Sequence, residues 1–312
     1  MTRGLLATTL AVAVALAAVA CGRGAEEAPA ASAAPAYALT VQSATPGRDA
    51  RDVDTSRIVV AGGPLTEIVF ALGAGDRVVG VDRTSIFPPE VRALPSVGMF
   101  GELGAEGILA LSPTAIVATT EAGPAAVLEQ LAAAGVDIVR VPDPTRPEDA
   151  AERVRALGDL LGVRPRAGEV AGALERGVDA ARRRAAALEG RPRTLFVYAR
   201  GTKTLLVSGR GTPADRMIAL AGGENAISGF DGFKPLTAEA VVAAAPDWIL
   251  IPRRGLASVG EVDGLLALPG VARTPAGEHR RVVAIDDLAL LGFGPRAPEA
   301  LAELQTAWGA AP

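Results

Sequence analysis

The chain has 312 residues, of which 49% are hydrophobic and 4% aromatic, and its formal net charge is −4. This length predicts about two domains, and the hydrophobic content is enough for each domain to bury its own core. The mixed charges and slightly acidic balance exclude the basic surface that a nucleic-acid-binding protein needs.

The N-terminus resembles a bacterial lipoprotein signal. Arg3 supplies a basic start, and the apolar run from Leu5 to Ala20 is too short for a membrane span. Ala18-Val-Ala-Cys21-Gly resembles a lipobox, in which the cysteine is lipidated, although leucine is more usual where Ala18 stands. Because Cys21 is the only cysteine, it has no disulfide partner in the chain.

We therefore expect residues 1–21 to be a lipoprotein signal peptide and lipobox, with Cys21 as the lipidation site. An ordinary secretory signal that contains a cysteine is the alternative. Residues 22–55 are rich in Ala, Pro, Gly and charge, which is typical of a flexible tether. The protein is then exported and lipid-anchored, on the outer face of the cytoplasmic membrane or in the periplasm or outer membrane.

Strands and helices alternate through the rest of the chain. The strand-like runs are apolar without polar alternation, which is typical of a parallel sheet covered on both faces. In the first half, the pattern predicts strands at 57–61, 77–81, 115–118 and 137–141, and helices at 65–72, 104–111 and 125–134. In the second half, it predicts strands at 194–200, 248–251 and 281–285, and helices at 213–220, 238–244 and 298–308.

One pattern occurs twice in the chain. Leu103-Gly-Ala-Glu106-Gly-Ile-Leu-Ala-Leu-Ser-Pro113 recurs 133 residues later as Leu236-Thr-Ala-Glu239-Ala-Val-Val-Ala-Ala-Ala-Pro246, and each copy precedes an apolar strand. This period is too long for a solenoid repeat and indicates two related lobes with a cleft between them.

Two helical segments, 147–161 and 166–188, lie between the halves, and the second would be about 35 Å long. The predicted fold class is α/β, with two lobes that each contain a central, mainly parallel sheet flanked by helices. The expected boundaries are an N-terminal lobe at 56–162, a linking helix at 163–190 and a C-terminal lobe at 191–312. One long inter-lobe helix makes a stiff connection and implies limited closure around a ligand.

Residues 57–310 resemble the periplasmic binding proteins that serve ABC importers of iron siderophores, cobalamin and haem. The run from Arg57-Ile-Val through Leu65-Thr-Glu67-Ile to Leu72-Gly-Ala-Gly75-Asp-Arg-Val-Val-Gly-Val81 is similar to that family's opening signature. Leu290-Leu-Gly-Phe-Gly-Pro-Arg296 and Ala221-Gly-Gly-Glu-Asn-Ala226 are similar to its haem-binding branch. The resemblance implies a monomeric protein that captures haem (hemin) in the inter-lobe cleft and delivers it to an ABC permease dimer with its ATPase.

The same resemblance assigns a role to the two glutamates of the repeated pattern. Family members dock on the permease through one acidic residue on each lobe, and Glu106 and Glu239 match those positions. Two separated carboxylates can align a binding protein on two permease subunits through arginine pairs. The alternative is that each glutamate only favours the positive end of its helix dipole.

Haem iron accepts His, Met, Cys or Tyr from a protein. His279, the only histidine, lies in a polar turn, and Tyr37 lies in the predicted tether. Tyr198 ends a predicted strand, at the edge where parallel sheets hold ligands, and Arg200 should leave the same face and favour the ionised phenol. Tyr198-Ala-Arg-Gly also resembles the Tyr-x-Arg-Gly segment of haem-binding relatives, which implies that Tyr198 is the axial ligand. The alternative is a structural tyrosine with a hydrogen-bonded hydroxyl.

Other residues are expected to complete the haem site. Haem-binding relatives place an axial tyrosine where this chain has Met99, so we expect Met99 and Phe100 to cover the porphyrin and the iron to be five-coordinate. Phe293, between two glycines, offers an aromatic ring for stacking. The candidates for pairing with the haem propionates are Arg83, Lys234 and Arg296, and the alternative for each is a solvated surface cation.

Rival functions are less well supported by the sequence. A ferric-siderophore or cobalamin binder would need no axial tyrosine, and is the alternative within the same family. An enzyme is not expected, because one histidine in a turn cannot build a Ser-His-Asp set and no P-loop or dinucleotide glycine pattern occurs. A purely structural envelope lipoprotein would not need two lobes and a cleft.

Overall fold

The computed structural model describes residues 37–309, so the predictions for Cys21 and for residues 1–21 lie outside it. The strands are β1 (Thr40–Gln42), β2 (Ile58–Ala61), β3 (Val78–Val81), β4 (Gly98–Met99), β5 (Glu102–Leu103), β6 (Ala115–Thr119), β7 (Asp137–Val141), β8 (Arg193–Arg200), β9 (Thr204–Ser208), β10 (Glu224–Asn225), β11 (Phe233–Pro235), β12 (Trp248–Pro252) and β13 (Val282–Ile285). The α-helices are α1 (Gly63–Ala71), α2 (Ala105–Leu109), α3 (Ala125–Ala133), α4 (Ala150–Leu160), α5 (Arg164–Ala186), α6 (Pro213–Leu220), α7 (Ala238–Ala244), α8 (Arg253–Ser258), α9 (Glu261–Leu266), α10 (Pro275–Glu278), α11 (Asp287–Leu291) and α12 (Ala297–Ala307).

The first lobe is built on a five-stranded sheet in the order β1-β7-β6-β2-β3. The four strands from β7 to β3 are parallel, and both faces of the sheet are buried. In β2, Val59 and Ala61 pack into one apolar cluster, whereas Ile58 and Val60 pack into another. The prediction of a parallel sheet covered on both faces is therefore confirmed.

The predicted tether extends too far toward the C-terminus. β1 pairs antiparallel with β7 at the edge of the first sheet, and Tyr37 is buried with its hydroxyl donating to the Pro142 carbonyl oxygen at 2.5 Å. The prediction is therefore wrong for residues 37–55, which are part of the first lobe. A three-residue strand is held by its pairing with β7 rather than by its own composition, so composition alone does not reveal it.

The second lobe contains a six-stranded sheet in the order β11-β9-β8-β12-β13, with β10 beside β8. β10, β8, β12 and β13 are parallel, whereas β9 and β11 extend the sheet with antiparallel pairs. The sequence analysis did not predict β9. A glycine, Gly201, begins the three-residue connection 201–203 between β8 and β9, and this glycine was the sequence signal for a hairpin. Short hairpin loops favour a glycine in a left-handed conformation, and Gly201 has φ 62°.

The repeated pattern occupies equivalent places in the two lobes. α2 precedes β6 and α7 precedes β12, and these strands begin 133 residues apart, at Ala115 and Trp248. β6 lies between the parallel strands β2 and β7, and β12 lies between the parallel strands β8 and β13. The two-lobed organisation inferred from the repeat is confirmed.

The lobes share part of their hydrophobic core. α5, which has 23 residues, is the long helix predicted between them, and it packs against α4 and α12. One continuous apolar cluster contains Ile68 of the first lobe, Leu174 of α5 and Leu301 of the second lobe. Because packed interiors resist deformation, this shared cluster limits how far the lobes can move relative to each other.

Candidate ligand-binding cleft

A cavity of about 820 Å³ lies between the two lobes. This volume is in the upper part of the range of roughly 300–1,000 Å³ for small-molecule sites. Its wall comes from both halves of the chain: Gly62, Gly63, Pro64, Arg83, Thr84, Ile86, Met99, Phe100, Thr119, Glu121, Asp143, Pro144, Tyr198, Arg200, Pro213, Arg254, Asp287, Leu288, Leu291, Gly292 and Phe293. Nine of these residues have apolar side chains and three are glycines, while six charged residues supply groups that could orient a ligand.

The cavity lies at the carboxyl ends of the parallel strands. Wall residues follow β2, β3, β6 and β7 in the first lobe, and β12 and β13 in the second, while β8 contributes residues from its own C-terminal end. Open α/β sheets bind ligands at this edge because the strand-to-helix loops gather there. The sequence-based expectation about where the ligand site would lie agrees with this arrangement.

A buried carboxylate organises the loop that carries Arg83. Asp82 accepts four hydrogen bonds, from the backbone nitrogens of Gly62 and Thr84 and from the hydroxyls of Thr84 and Ser85. Asp82 itself is 1% exposed, whereas the next residue, Arg83, is exposed at the cavity wall. This network fixes the start of the loop and directs the Arg83 guanidinium toward the cleft.

Tyr198 lies on the cavity wall near the end of β8. Its ring packs partly against the shared core, and its hydroxyl forms no hydrogen bond with any residue between 37 and 309. The other tyrosine, Tyr37, differs because its hydroxyl is buried and bonded to a carbonyl oxygen. The alternative of a hydrogen-bonded structural tyrosine therefore fits Tyr37 and not Tyr198, whose oxygen is available to a ligand.

Arg200 lies on the same face of β8 as Tyr198, as the strand spacing predicts. Its guanidinium carbon is 4.8 Å from the Tyr198 ring centroid, and its Nη1 donates to Asp287 Oδ1 at 3.3 Å. Asp287 is at the start of α11 and is also on the cavity wall. The acid holds the guanidinium over the ring, and nothing in the sequence pattern indicated this partner.

Met99 and Phe100 lie at a β-hairpin on the first-lobe side of the cavity. β4 pairs with β5, and the Gly98 carbonyl oxygen accepts a hydrogen bond from the Arg83 backbone nitrogen at 2.8 Å. Met99 is 40% exposed, an unusually large fraction for an apolar side chain of its size. The hairpin thus places the apolar side chains of Met99 and Phe100 on the cavity wall, where a bound ligand would contact them.

Arg254 is a wall residue that the sequence analysis missed. It is the second residue after β12, at the same sheet edge as Tyr198, and its exposed side chain forms no ion pair with residues 37–309. Among the described residues, Arg83 and Arg254 are the wall arginines without an acidic partner, one on each lobe. The signal that could have revealed Arg254 is its place two residues after the end of a parallel strand.

Two of the predicted haem contacts are not on the cavity wall. Lys234 is on β11, two strands away from β8, and its Nζ lies 4.6 Å from the Phe230 ring centroid. Arg296 donates from Nη2 to Glu67 and Asp286 at 2.8 and 3.0 Å, so its guanidinium is already bound by protein carboxylates. Phe293 is on the wall, but it is 3% exposed.

Glu106 and Glu239 are exposed, in the first turns of α2 and α7. Neither forms an ion pair within residues 37–309, so both carboxylates are accessible to a partner. His279 is exposed after α10, as its place in a polar turn indicated. Within the described residues, no helix is long and apolar enough to cross a bilayer, and no cluster of three or more His, Cys, Asp or Glu side chains could hold a metal ion.

Comparisons with known proteins agree on the family and the fold. A model of the periplasmic binding protein family matches residues 58–289. The periplasmic haem-binding protein RhuT from Roseiflexus sp. RS-1, in its apo form, is 46% identical with a TM-score of 0.78, covering 82% of this chain and 98% of that one. A periplasmic haem-binding protein from Pseudomonas aeruginosa is 36% identical with a TM-score of 0.77, covering 82% and 94%. A vitamin B12-binding protein of Yersinia pestis (strain Pestoides F) is 31% identical over 169 residues, covering 54% of this chain and 59% of that protein.

Proposed function

The chain belongs to the periplasmic binding protein family, and from that premise we propose that it is an extracytoplasmic haem-binding protein that captures haem in its inter-lobe cleft for an ABC importer. The observation that carries the proposal is Tyr198, which has an unbonded hydroxyl on the wall of a large, mostly apolar cavity. The similar solved structures from Roseiflexus and Pseudomonas are of proteins named for haem binding, and they support haem over other ligands.

Tyr198 is the proposed axial ligand of the iron. Tyrosine is one of the few protein residues that ligate haem iron, and the guanidinium carbon of Arg200 lies 4.8 Å from the Tyr198 ring centroid. The porphyrin would lie between the apolar wall of the second lobe, including Leu288 and Leu291, and the hairpin of Met99 and Phe100. A thioether is a poor partner for phenolate-bound ferric iron, so Met99 is proposed as cover and not as a second ligand.

The propionates are proposed to pair with Arg83 and Arg254. These two guanidiniums lack acidic partners within residues 37–309, whereas Arg200 is already held by Asp287. They stand on different lobes, so one ligand with two carboxylates could contact both sides of the cleft. Lys234 and Arg296 are left out of the proposed contacts because they are away from the wall.

The rest of the transport role is proposed from the family. Glu106 and Glu239 would contact the two permease subunits, and the ATPase would drive transfer. Lipidation of Cys21 would anchor the protein outside the cytoplasm, with the residues before β1 as the tether. The proposed role is binding and delivery, as a monomer, without enzymatic catalysis.

The alternative ligand is cobalamin or a ferric siderophore. The similarity to a vitamin B12-binding protein supports this option, although the alignment covers 54% of this chain. One pair of titrations separates the two proposals: purified protein with haemin, and purified protein with cyanocobalamin, each followed by absorbance. We expect haemin to give a shifted Soret band with tyrosinate-to-iron charge-transfer features, and cyanocobalamin to give no saturable change. Saturable binding of cyanocobalamin with no haemin spectrum would overturn the haem assignment.

A further inference from the structure

Two arginines fasten one loop of the second lobe to the first lobe. The loop, residues 292–296, connects α11 to α12, and its Gly292 and Phe293 line the cavity. Phe293 has φ 47°, a left-handed backbone conformation that is strained for any residue other than glycine. Such a conformation persists only where surrounding contacts hold it.

Arg153 of α4 makes the first set of contacts. Its side chain is fully buried, and Nη2 donates to the carbonyl oxygens of Gly292 at 2.5 Å and Phe293 at 3.1 Å. Its Nη1 donates to Asp143 Oδ1 at 3.2 Å, on the first-lobe wall of the cavity. A buried guanidinium is unfavourable unless it is hydrogen-bonded; here Nη1 and Nη2 find acceptors in both lobes, whereas Nε has no partner within residues 37–309.

Arg296 makes the second set of contacts. Its backbone nitrogen and Nη2 donate to the two carboxylate oxygens of Glu67, at 3.2 and 2.8 Å. Glu67 is a buried side chain of α1 in the first lobe, and the Arg296 guanidinium also lies 3.6 Å from the ring centroid of Phe87. Arg296 is therefore bound on two sides by the first lobe, although it belongs to the second.

The loop also packs closely against α1. A Cβ atom at Gly294 would lie 3.0 Å from Glu67 Oε1, and one at Gly292 would lie 3.0 Å from Pro64 Cγ. Both distances are too short for an alanine to fit without displacement of the loop or of α1. The two lobes are thus in direct contact at the base of the cavity.

We propose that Glu67, Arg153 and Arg296 form an inter-lobe clasp that fixes the width of the cleft before ligand binds and holds Phe293 on the cavity wall. These are positioning residues, because they act on the ligand through the loop and are not on the wall themselves. The apparent affinity of a ligand scales with the fraction of protein already in the binding-competent form. The clasp keeps that fraction close to one, and this second part of the inference rests on the proposed function.

The width of the cleft is measured without any ligand. Spin labels at Gln130→Cys on α3 and Ala257→Cys on α8, both exposed positions, report the distance between the lobes in a full-length Cys21→Ser background. We expect one narrow distance distribution that haemin does not change. Arg153→Met and Glu67→Gln should broaden the distribution and shift it to longer distances. Arg155→Met is the matched control, because Arg155 is on the same helix but pairs with Glu152 and Glu175 at the surface.

A haemin titration measures the consequence for binding. If loss of the clasp lowers the competent fraction to about one tenth, haemin affinity falls about tenfold while the haem spectrum stays that of the parent protein. Glu67→Gln keeps the shape of the side chain, so it tests the clasp even if Arg153→Met does not fold. Distributions that stay narrow in both variants would overturn the clasp. Failure of haemin to bind the parent would overturn the proposed function and leave the distance result intact.

Discussion

The guanidinium carbon of Arg200 lies 4.8 Å from the ring centroid of Tyr198, and Asp287 accepts a hydrogen bond from the same guanidinium at 3.3 Å. One face of the phenol is therefore covered by a fixed positive charge, while its oxygen remains unbonded within residues 37–309. In the proposed haem complex, this positive charge would lie against the ring of the ligating tyrosine. The unbonded hydroxyl and the neighbouring guanidinium of Arg200 together make Tyr198 the candidate iron ligand.

Arg200→Leu is expected to weaken haemin binding while the tyrosinate spectrum is retained. The variant removes the positive charge that packs against the proposed iron ligand, and a tenfold weaker affinity corresponds to about 1.4 kcal/mol. Titration of haemin by absorbance measures the effect. Arg253→Leu is the control, because Arg253 is in the same lobe but pairs with Glu303 away from the cavity. Equal affinities for Arg200→Leu and the parent protein would contradict the proposed role.

Arg83→Gln and Arg254→Gln should each weaken haemin binding roughly tenfold, because a hydrogen bond to a charged group contributes about 1.5 kcal/mol or more. Haemin dimethyl ester, which has no free propionate, should bind the parent and both variants with similar affinity. Lys234→Gln serves as the control, since Lys234 is away from the wall. A loss of ester binding equal to the loss of haemin binding would indicate a packing role for the arginines.

Glu106→Arg combined with Glu239→Arg should abolish haem uptake by cells that carry the cognate importer, and should leave haemin affinity of the purified protein unchanged. The reason is that both carboxylates are exposed on short helices outside the cavity wall. Glu129→Arg, on the exposed side of α3, controls for the change in surface charge. Loss of haemin binding together with uptake would mean that these glutamates support the fold.

Asp143 predicts a pH dependence of stability. Partial desolvation on the cavity wall raises the pKa of its carboxyl, although the side chain is 48% exposed; the Arg153 charge opposes that increase, and the Glu121 charge adds to it. A raised pKa means that the folded protein keeps its proton when the unfolded chain has lost it. The stability from this group is therefore present below the unfolded pKa of about 3.9 and is lost as the pH rises through the folded pKa.

Asp143→Asn removes this contribution. Between about pH 3 and pH 7, the free energy of unfolding of the variant minus that of the parent should increase as the pH rises, because only the parent loses the Asp143 contribution. Urea unfolding at several pH values measures this difference. Asp149→Asn should shift in the opposite direction, because a hydrogen bond from Arg146 lowers the pKa of Asp149. A shift of the same sign in both variants would show that the assignment of Asp143 is wrong.

The sequence predicted those features that depend on local pattern or on strand ends. The two lobes followed from the repeat around Glu106 and Glu239, and the position of Tyr198 followed from the end of its strand. β1 was missed because a three-residue edge strand depends on its partner β7, and the sequence around Thr40–Gln42 carries little signal of its own.

Contacts between distant residues were beyond prediction from pattern. Arg296 is 229 residues from Glu67 in sequence, so nothing local revealed that its guanidinium was already bound. Arg153 looked like one of many helical arginines, and only the structure shows that it is fully buried. Arg254 could have been found, because it comes two residues after the end of β12, at the same edge as Tyr198.

In the proposed function, Tyr198 holds haem iron through its phenol oxygen. The chain has two tyrosines, so Tyr198→Phe can be compared directly with Tyr37→Phe, which removes the hydroxyl that donates to Pro142. The measurement is a haemin titration of the purified parent and both variants, followed by the Soret and charge-transfer bands. We expect Tyr198→Phe to lose the tyrosinate charge-transfer band and to bind haemin far more weakly, whereas Tyr37→Phe should keep the parent spectrum. An unchanged spectrum and affinity in Tyr198→Phe would show that Tyr198 is not the iron ligand.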